Sequence, residues 1–307
     1  MRSIAAGSLL AATLLACSGS KNPGSGFSND GGTGTLGGGE GDGGMSGPLG
    51  GGDDGSAAGP PNCSQASQLV YVIDEQGGLH SFDPSTLTFT TIGTVDCPGA
   101  GMDYNSMAVD RNATAWVNDT SGHIFQVSTA DASCTATKFV APAGFSQMGM
   151  GFSSDTAGGT AETLYVDGIG GAGLATIDLA TMALTKIGVF GGALMGQDCE
   201  LTGTGNADLY GFFTTMPASV AEINKSNAQI LSNAPQAGVD TGTDWAFSAW
   251  GGDFYLYTAD TTTNPTDTTD VTRFSPSTGQ TTVVKQQIGF RIVGAGVSTC
   301  APTKPPM

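Results

Sequence analysis

Positive charge is scarce in this chain: ten Lys and Arg stand against 27 Asp and Glu, a net charge of −17 over 307 residues. Unaided binding to nucleic acid or to an anionic membrane surface draws on basic side chains that displace counterions, so the deficit excludes both classes of partner. Histidine is nearly missing, with two, and the six cysteines contain no Cys-x-x-Cys pair. Zinc held by Cys and His therefore has no ligand spacing to rest on. No apolar run approaches the roughly 20 residues of a membrane-spanning helix, and helical periodicity is essentially absent. Glycine, by contrast, is abundant at 49 residues, and 39% apolar content is enough for the core of one large all-β domain or two average ones.

Residues 1–17 read MRSIAAGSLLAATLLAC, with one positive charge at Arg2, an apolar middle and a small-residue end. That is the layout of an export signal. Leu14-Leu15-Ala16-Cys17 resembles a bacterial lipobox, which implies cleavage before Cys17 and acylation there, although Leu15 is larger than the residue usual at its position. An ordinary secretory signal with Cys17 incidental is the plainer alternative. Residues 18–62 hold 18 glycines in 45 positions. Such a segment cannot bury apolar surface and reads as a disordered tether. By analogy with Gram-negative sorting, Ser18 after the cysteine points to the outer membrane. The expected location is the cell envelope, with a lipid anchor.

From residue 63 to 300 the chain repeats weakly with a period near 45. Aromatics fall at Tyr71, Trp116, Tyr165, Tyr210 and Tyr255, separations of 45, 49, 45 and 45. In the same register Phe82, Val127, Ile177, Ile223 and Phe274 are each followed by Asp, Ser or Asn, which start turns by bonding their own backbone. Small and apolar runs precede four of the units: SMAV at 106–109, MGMGF at 148–152, ELTGTG at 200–205 and FSAW at 247–250. Gly and Ala suit the innermost strand of a blade, where backbones crowd an axis. The first unit lacks this strand, and one strand of the same composition, RIVGAGVST at 291–299, is left over at the end. Pairing the two predicts an all-β, five-bladed β-propeller closed by its C-terminal strand. A six-bladed ring with a degenerate blade, or an elongated β structure, is the alternative. Residues 301–307 read as a disordered tail.

In an exported chain cysteines read as a disulfide framework. With Cys17 acylated, Cys63 and Cys300 flank the closure and would staple it, Cys97 and Cys134 form a plausible second pair, and Cys199 is left as a buried thiol.

Polar ligands of a propeller meet where the inner strands begin. Asp103, Asn105, Gln147, Asp198, Glu200, Asp244 and Arg291 occupy those positions. Carboxylates there could hold Ca²⁺ through oxygen or act as an acid and base on a sugar; the plainer alternative is that they cap strands and face water. No other cofactor is implied. The Gly-rich stretch GIGGAG at 168–173 joins two strands rather than a strand and a helix, so it reads as a turn and not a nucleotide loop. The insert ADTTTNPTDTTD at 259–270 reads as a solvated loop, because the Gly and Glu of an EF-hand are missing. His80 and His123 read as strand-flank residues, and no Ser, His and Asp arrangement has a spacing logic.

The runs SMAVDRNATAWV, ELTGTGNADLYGFF, WAFSAWGGDFYLYTA and VTRFSPSTGQ resemble segments of uncharacterised propeller lipoproteins of myxobacteria, over roughly residues 64–300. More distantly the blades are similar to NHL and YVTN-type surface propellers. The resemblance implies a fold and an envelope location but no activity. The expected function is a non-catalytic, membrane-anchored platform, monomeric, that binds a protein or glycan partner. The rival is a carboxylate-based hydrolase or lactonase, with or without Ca²⁺, at the channel mouth.

Overall fold

Each repeat folds as a meander of antiparallel strands, because its apolar runs are separated by Asp-, Asn- and Gly-containing turns short enough to force adjacent pairing. The computed structural model describes residues 63–101, 103–262 and 264–305. The strands are β1 (Val70–Asp74), β2 (Gly78–Asp83) and β3 (Thr88–Thr94); β4 (Tyr104–Val109), β5 (Thr114–Asp119), β6 (Ile124–Ser128) and β7 (Cys134–Ala136); β8 (Met148–Ser154), β9 (Glu162–Gly168), β10 (Gly173–Asp178) and β11 (Ala183–Gly188). They continue as β12 (Cys199–Gly203), β13 (Leu209–Phe213), β14 (Ala218–Ile223) and β15 (Ile230–Gln236); β16 (Asp244–Trp250), β17 (Asp253–Ala259), β18 (Asp270–Ser275) and β19 (Gln280–Lys285); and β20 (Ile292–Val297). They make five four-stranded sheets, and the first has the order β20-β1-β2-β3. The chain is a five-bladed β-propeller, as the repeat predicts.

Closure is antiparallel pairing of β20 with β1, running from Val70 opposite Val297 to Asp74 opposite Ile292, with a bulge between Ile73 and Asp74. Two edges that would otherwise stay open are thereby satisfied. Cys63 and Cys300 form a disulfide across 237 residues, and Cys97 bonds Cys134. Cys199 is a buried free thiol.

Burial grades outward. The five residues of β1 are all buried, whereas most of β19 is exposed. A second strand covered on both faces by neighbouring blades reads as a continuous apolar run, and an outer strand reads as Thr and Gln. The inner strands need glycine because they nearly touch. A Cβ on Gly149 would lie 1.9 Å from the Cys199 carbonyl oxygen, and one on Gly151 would lie 2.9 Å from Leu201 backbone. Gly294 and Gly296 stand in the same way against Ser106 and Ala108. Neighbouring positions thus advance together, so the inner strands run parallel and all begin at one mouth of the channel, here the entry mouth.

The signal at 1–17, its Cys17 and the tether at 18–62 lie outside the described residues. Residues 301–305, expected to trail away, run along the β16–β17 turn, where the Pro302 carbonyl accepts from the Gly251 amide at 2.7 Å. Among the described residues no helix is long and apolar enough to cross a membrane.

Candidate functional site

The entry mouth holds a cavity of about 290 Å³ whose walls come from three blades: Glu75 from the first, Asp103, Asn105 and Thr120 from the second, and Thr243, Asp244 and Trp245 from the fifth. Three of the seven residues singled out from sequence, Asp103, Asn105 and Asp244, line it, and a fourth, Arg291, pairs with two of its walls. Asp103 and Asn105 flank the start of β4, Asp244 opens β16, and Arg291 precedes β20. The Arg291 guanidinium donates to the Glu75 carboxylate, and its Nε stands 3.7 Å from Asp244 Oδ2. This one cation therefore straps the first blade to the fifth, over the seam where the ring closes. Nε itself is buried without a hydrogen-bond partner. Burial pushes the Asp244 carboxyl above the usual carboxylate range, against a hydrogen bond from Thr243.

Asn105 lines the cavity with its amide turned inward, where Nδ2 donates to Asn118 Oδ1 at 3.1 Å and to the Met148 carbonyl at 3.0 Å. It ties the second blade to the third.

One residue deeper the channel is bridged. Ser106 Oγ on β4 donates to Glu200 Oε2 on β12 at 2.6 Å. The second and fourth blades are not neighbours in the ring, so this bond crosses the axis. Glu200 is buried, and desolvation holds its carboxyl well above the ordinary range, with the Asp167 charge acting in the same direction. The mouth is consequently a cup with a floor and not a conduit.

The remaining sequence candidates are placed elsewhere. Asp198 is engaged by the Gly-rich turn, accepting from the Gly170 and Gly171 amides at 2.9 Å each. The amides that could suggest a phosphate loop thus already face a carboxylate of their own chain. Gln147 is half-buried ahead of β8 and does not line the cup. His80 and His123 brace loops: His80 Nε2 meets Asp74 at 3.0 Å while its ring stacks on Phe290, and His123 Nδ1 meets Asp119 at 2.8 Å. The insert at 259–270 is stitched by Asn264 to Thr266 and by Gln287 to Asp267. Among the described residues no cluster of three or more His, Cys, Asp and Glu is arranged to hold a metal ion.

No protein-family model matches the chain, and no curated protein matches it in sequence. Solved structures similar in outline include virginiamycin B lyase from Staphylococcus aureus, 11% identical over 73% of this chain and 72% of that one, with a TM-score of 0.40. A protein of unknown function from Bacteroides thetaiotaomicron is 14% identical over 73% of this chain and 57% of its own, TM-score 0.47. An auxiliary nutrient binding protein from Bacteroides ovatus is 12% identical over 78% and 61%, TM-score 0.42. Likeness at this level carries nothing about what this chain binds.

Two residues of the mouth region escaped the sequence reading. Glu75 is brought opposite Arg291 by the closure register, with the Glu75 amide donating to the Arg291 carbonyl at 2.9 Å. The bulge between Ile73 and Asp74 shifts the pairing by one residue, so a regular register would have set Glu75 opposite Ile292 instead. Asp167, on β9, is the other. Its Oδ2 accepts from the Cys199 amide at 2.8 Å, its Oδ1 is buried without a partner, and burial pushes its carboxyl up to about 8. An acid inside an apolar strand that reads TLYVDG was the available signal.

Proposed function

We propose that this chain is an envelope-tethered, non-catalytic binding platform that presents the entry face of its propeller to a protein or glycan partner. The observation that carries it is the floor: with Ser106 bonded to Glu200 across the axis, the mouth is a shallow acidic cup suited to receiving a group from outside. Arg291, paired with Glu75 and Asp244, holds two of the cup's carboxylates in place. The export signal and Gly-rich tether read from the sequence supply the envelope location, most consistent with a lipid anchor in the outer membrane, and a monomer suffices.

A second reading has one observation in its favour. Asp244 is raised by burial while Asp103, on the same cup, is exposed, and two carboxyls in unlike environments are what a general acid and its partner require. On that reading the cup hydrolyses a glycoside or lactone, with or without Ca²⁺ on the same oxygens.

The test uses the full chain and an Asp103→Asn, Asp244→Asn double variant, assayed for saturable binding to envelope fractions and for turnover of aryl glycosides and lactones. Binding that falls in the variant, without turnover in either protein, is the expected result. Turnover lost in the variant would replace the platform with the hydrolase.

A further inference from the structure

Among the described residues, large apolar side chains left exposed on the loops are confined to one side of the ring. Val140 is 84% exposed, Ile169 39%, Val189 62%, Met195 70% and Met216 100%. All five sit on connections at the entry end: the β7–β8 loop, the β9–β10 hairpin, the β11–β12 loop and the β13–β14 hairpin. Among the described residues the other two exposed large apolar side chains, Leu231 and Val283, lie on outer strands β15 and β19, and the exit-side turns carry none.

The loops touch in sequence round the rim. Gly122 lies against Ala141, Gly144 against Ala172, and Gly171 against Gly196. Phe190 then packs edge-on against Phe213 at 5.1 Å, carrying the line to the hairpin that holds Met216. The result is one arc of adjoining loops over the second, third and fourth blades, beside the cup, that carries the five exposed apolar side chains. Solvent-exposed apolar groups gathered on one face mark an interaction surface.

We propose that this arc docks a protein segment that combines apolar side chains with Lys or Arg, an inference that rests on the platform reading above. The arc's exposed side chains are aliphatic or thioether, without an aromatic ring on which a sugar could stack, and methionine adapts its shape to varied protein partners. Its own loops are nearly neutral, with Lys138 and Asp198, but the adjoining cup offers Glu75, Asp103 and Asp244, and the neighbouring cation, Arg291, is occupied with Glu75 and Asp244. Cationic ends reaching from the arc into the cup are therefore favoured. A second copy of this chain would bring a further −17, and an anionic bilayer would be repelled in the same way. Orientation agrees. Cys63 is bonded to Cys300 beyond the exit end of β20, so the chain joins the propeller on the side opposite the arc.

A phage-displayed random 12-mer library panned on the purified full chain supplies the probe, and enriched peptides are titrated by fluorescence anisotropy. Three proteins are compared: the parent, an arc variant (Val140→Ser, Met195→Ser, Met216→Ser) of unchanged net charge, and the cup variant (Asp103→Asn, Asp244→Asn). Enriched peptides should carry apolar residues with Lys or Arg, and should bind the arc variant about tenfold or more weakly while that variant melts as the parent does. Peptides that ignore the arc variant but are lost with the cup variant would overturn the docking arc and leave the platform reading standing. An absence of enriched peptides, arc-dependent dimerisation in the ultracentrifuge, or arc-dependent flotation with phosphatidylethanolamine vesicles would also overturn it.

Discussion

Ser106 and Glu200 are 94 residues apart in the chain and meet at 2.6 Å across the axis of the ring, joining two blades that do not otherwise adjoin. Removing the donor leaves a buried carboxyl oxygen unsatisfied, which costs about 1–3 kcal/mol. Ser106→Ala should therefore melt about 2–10 °C below the parent, and Glu200→Gln, which keeps an acceptor in place, should lose less. Differential scanning calorimetry decides it; an unchanged Ser106→Ala would show that the bridge contributes nothing.

Asp167 makes stability depend on pH. Its carboxyl is raised to about 8 by burial, so the folded state keeps a proton that the unfolded state has released. The stabilisation is complete below about pH 4, declines as pH climbs, and is lost as pH passes through about 8. Glu200, raised for the same reason, acts with it. The parent should be less stable at pH 8 than at pH 5, and Asp167→Asn should flatten that slope. Chemical denaturation at both pH values measures it, and an equal slope in the two proteins would refute the assignment.

The closure disulfide spans 237 residues and the second one 37. Loop entropy makes the first worth about 5 kcal/mol and the second about 4. Cys63→Ser, Cys300→Ser should consequently unfold at lower denaturant than Cys97→Ser, Cys134→Ser, with the parent above both. The reverse order would mean that the strand β20 is held by its ladder alone.

Gly149→Ala places a Cβ 1.9 Å from the Cys199 carbonyl oxygen, where the Cβ is fixed by its own backbone, the oxygen is itself backbone, and neither can swing away. A loss of about 3 kcal/mol or failure to fold is expected. Gly191, at φ −113° with nothing within 4 Å, should accept Ala within about 0.5 kcal/mol. Thermal melts of the two variants side by side check the contrast.

Much of the architecture was legible because a propeller repeats its constraints. Turn residues recur every 45 or so positions, and the inner strand must be small wherever it falls, so the composition of RIVGAGVST alone assigns it to the first blade. The Cys63–Cys300 disulfide followed from that closure, and Cys97–Cys134 from the positions of the two residues in adjacent blades. The site was less legible. Asp198 and Glu200 sit at inner-strand starts like Asp103 and Asp244, yet one is consumed by the amides of Gly170 and Gly171 and the other by Ser106. Spacing places a residue at a mouth but does not say which way its side chain turns or what satisfies it.

The chain's own order of residues thus determined the number of blades, the closing strand and the covalent staples, since these depend on local periodicity and on which strand lacks a partner. Only the folded ring decided that the channel is floored, that Glu75 stands against Arg291, and that Val140, Met195 and Met216 share a rim. Those relationships join residues on different blades, and they exist only once closure has set the distance across the axis.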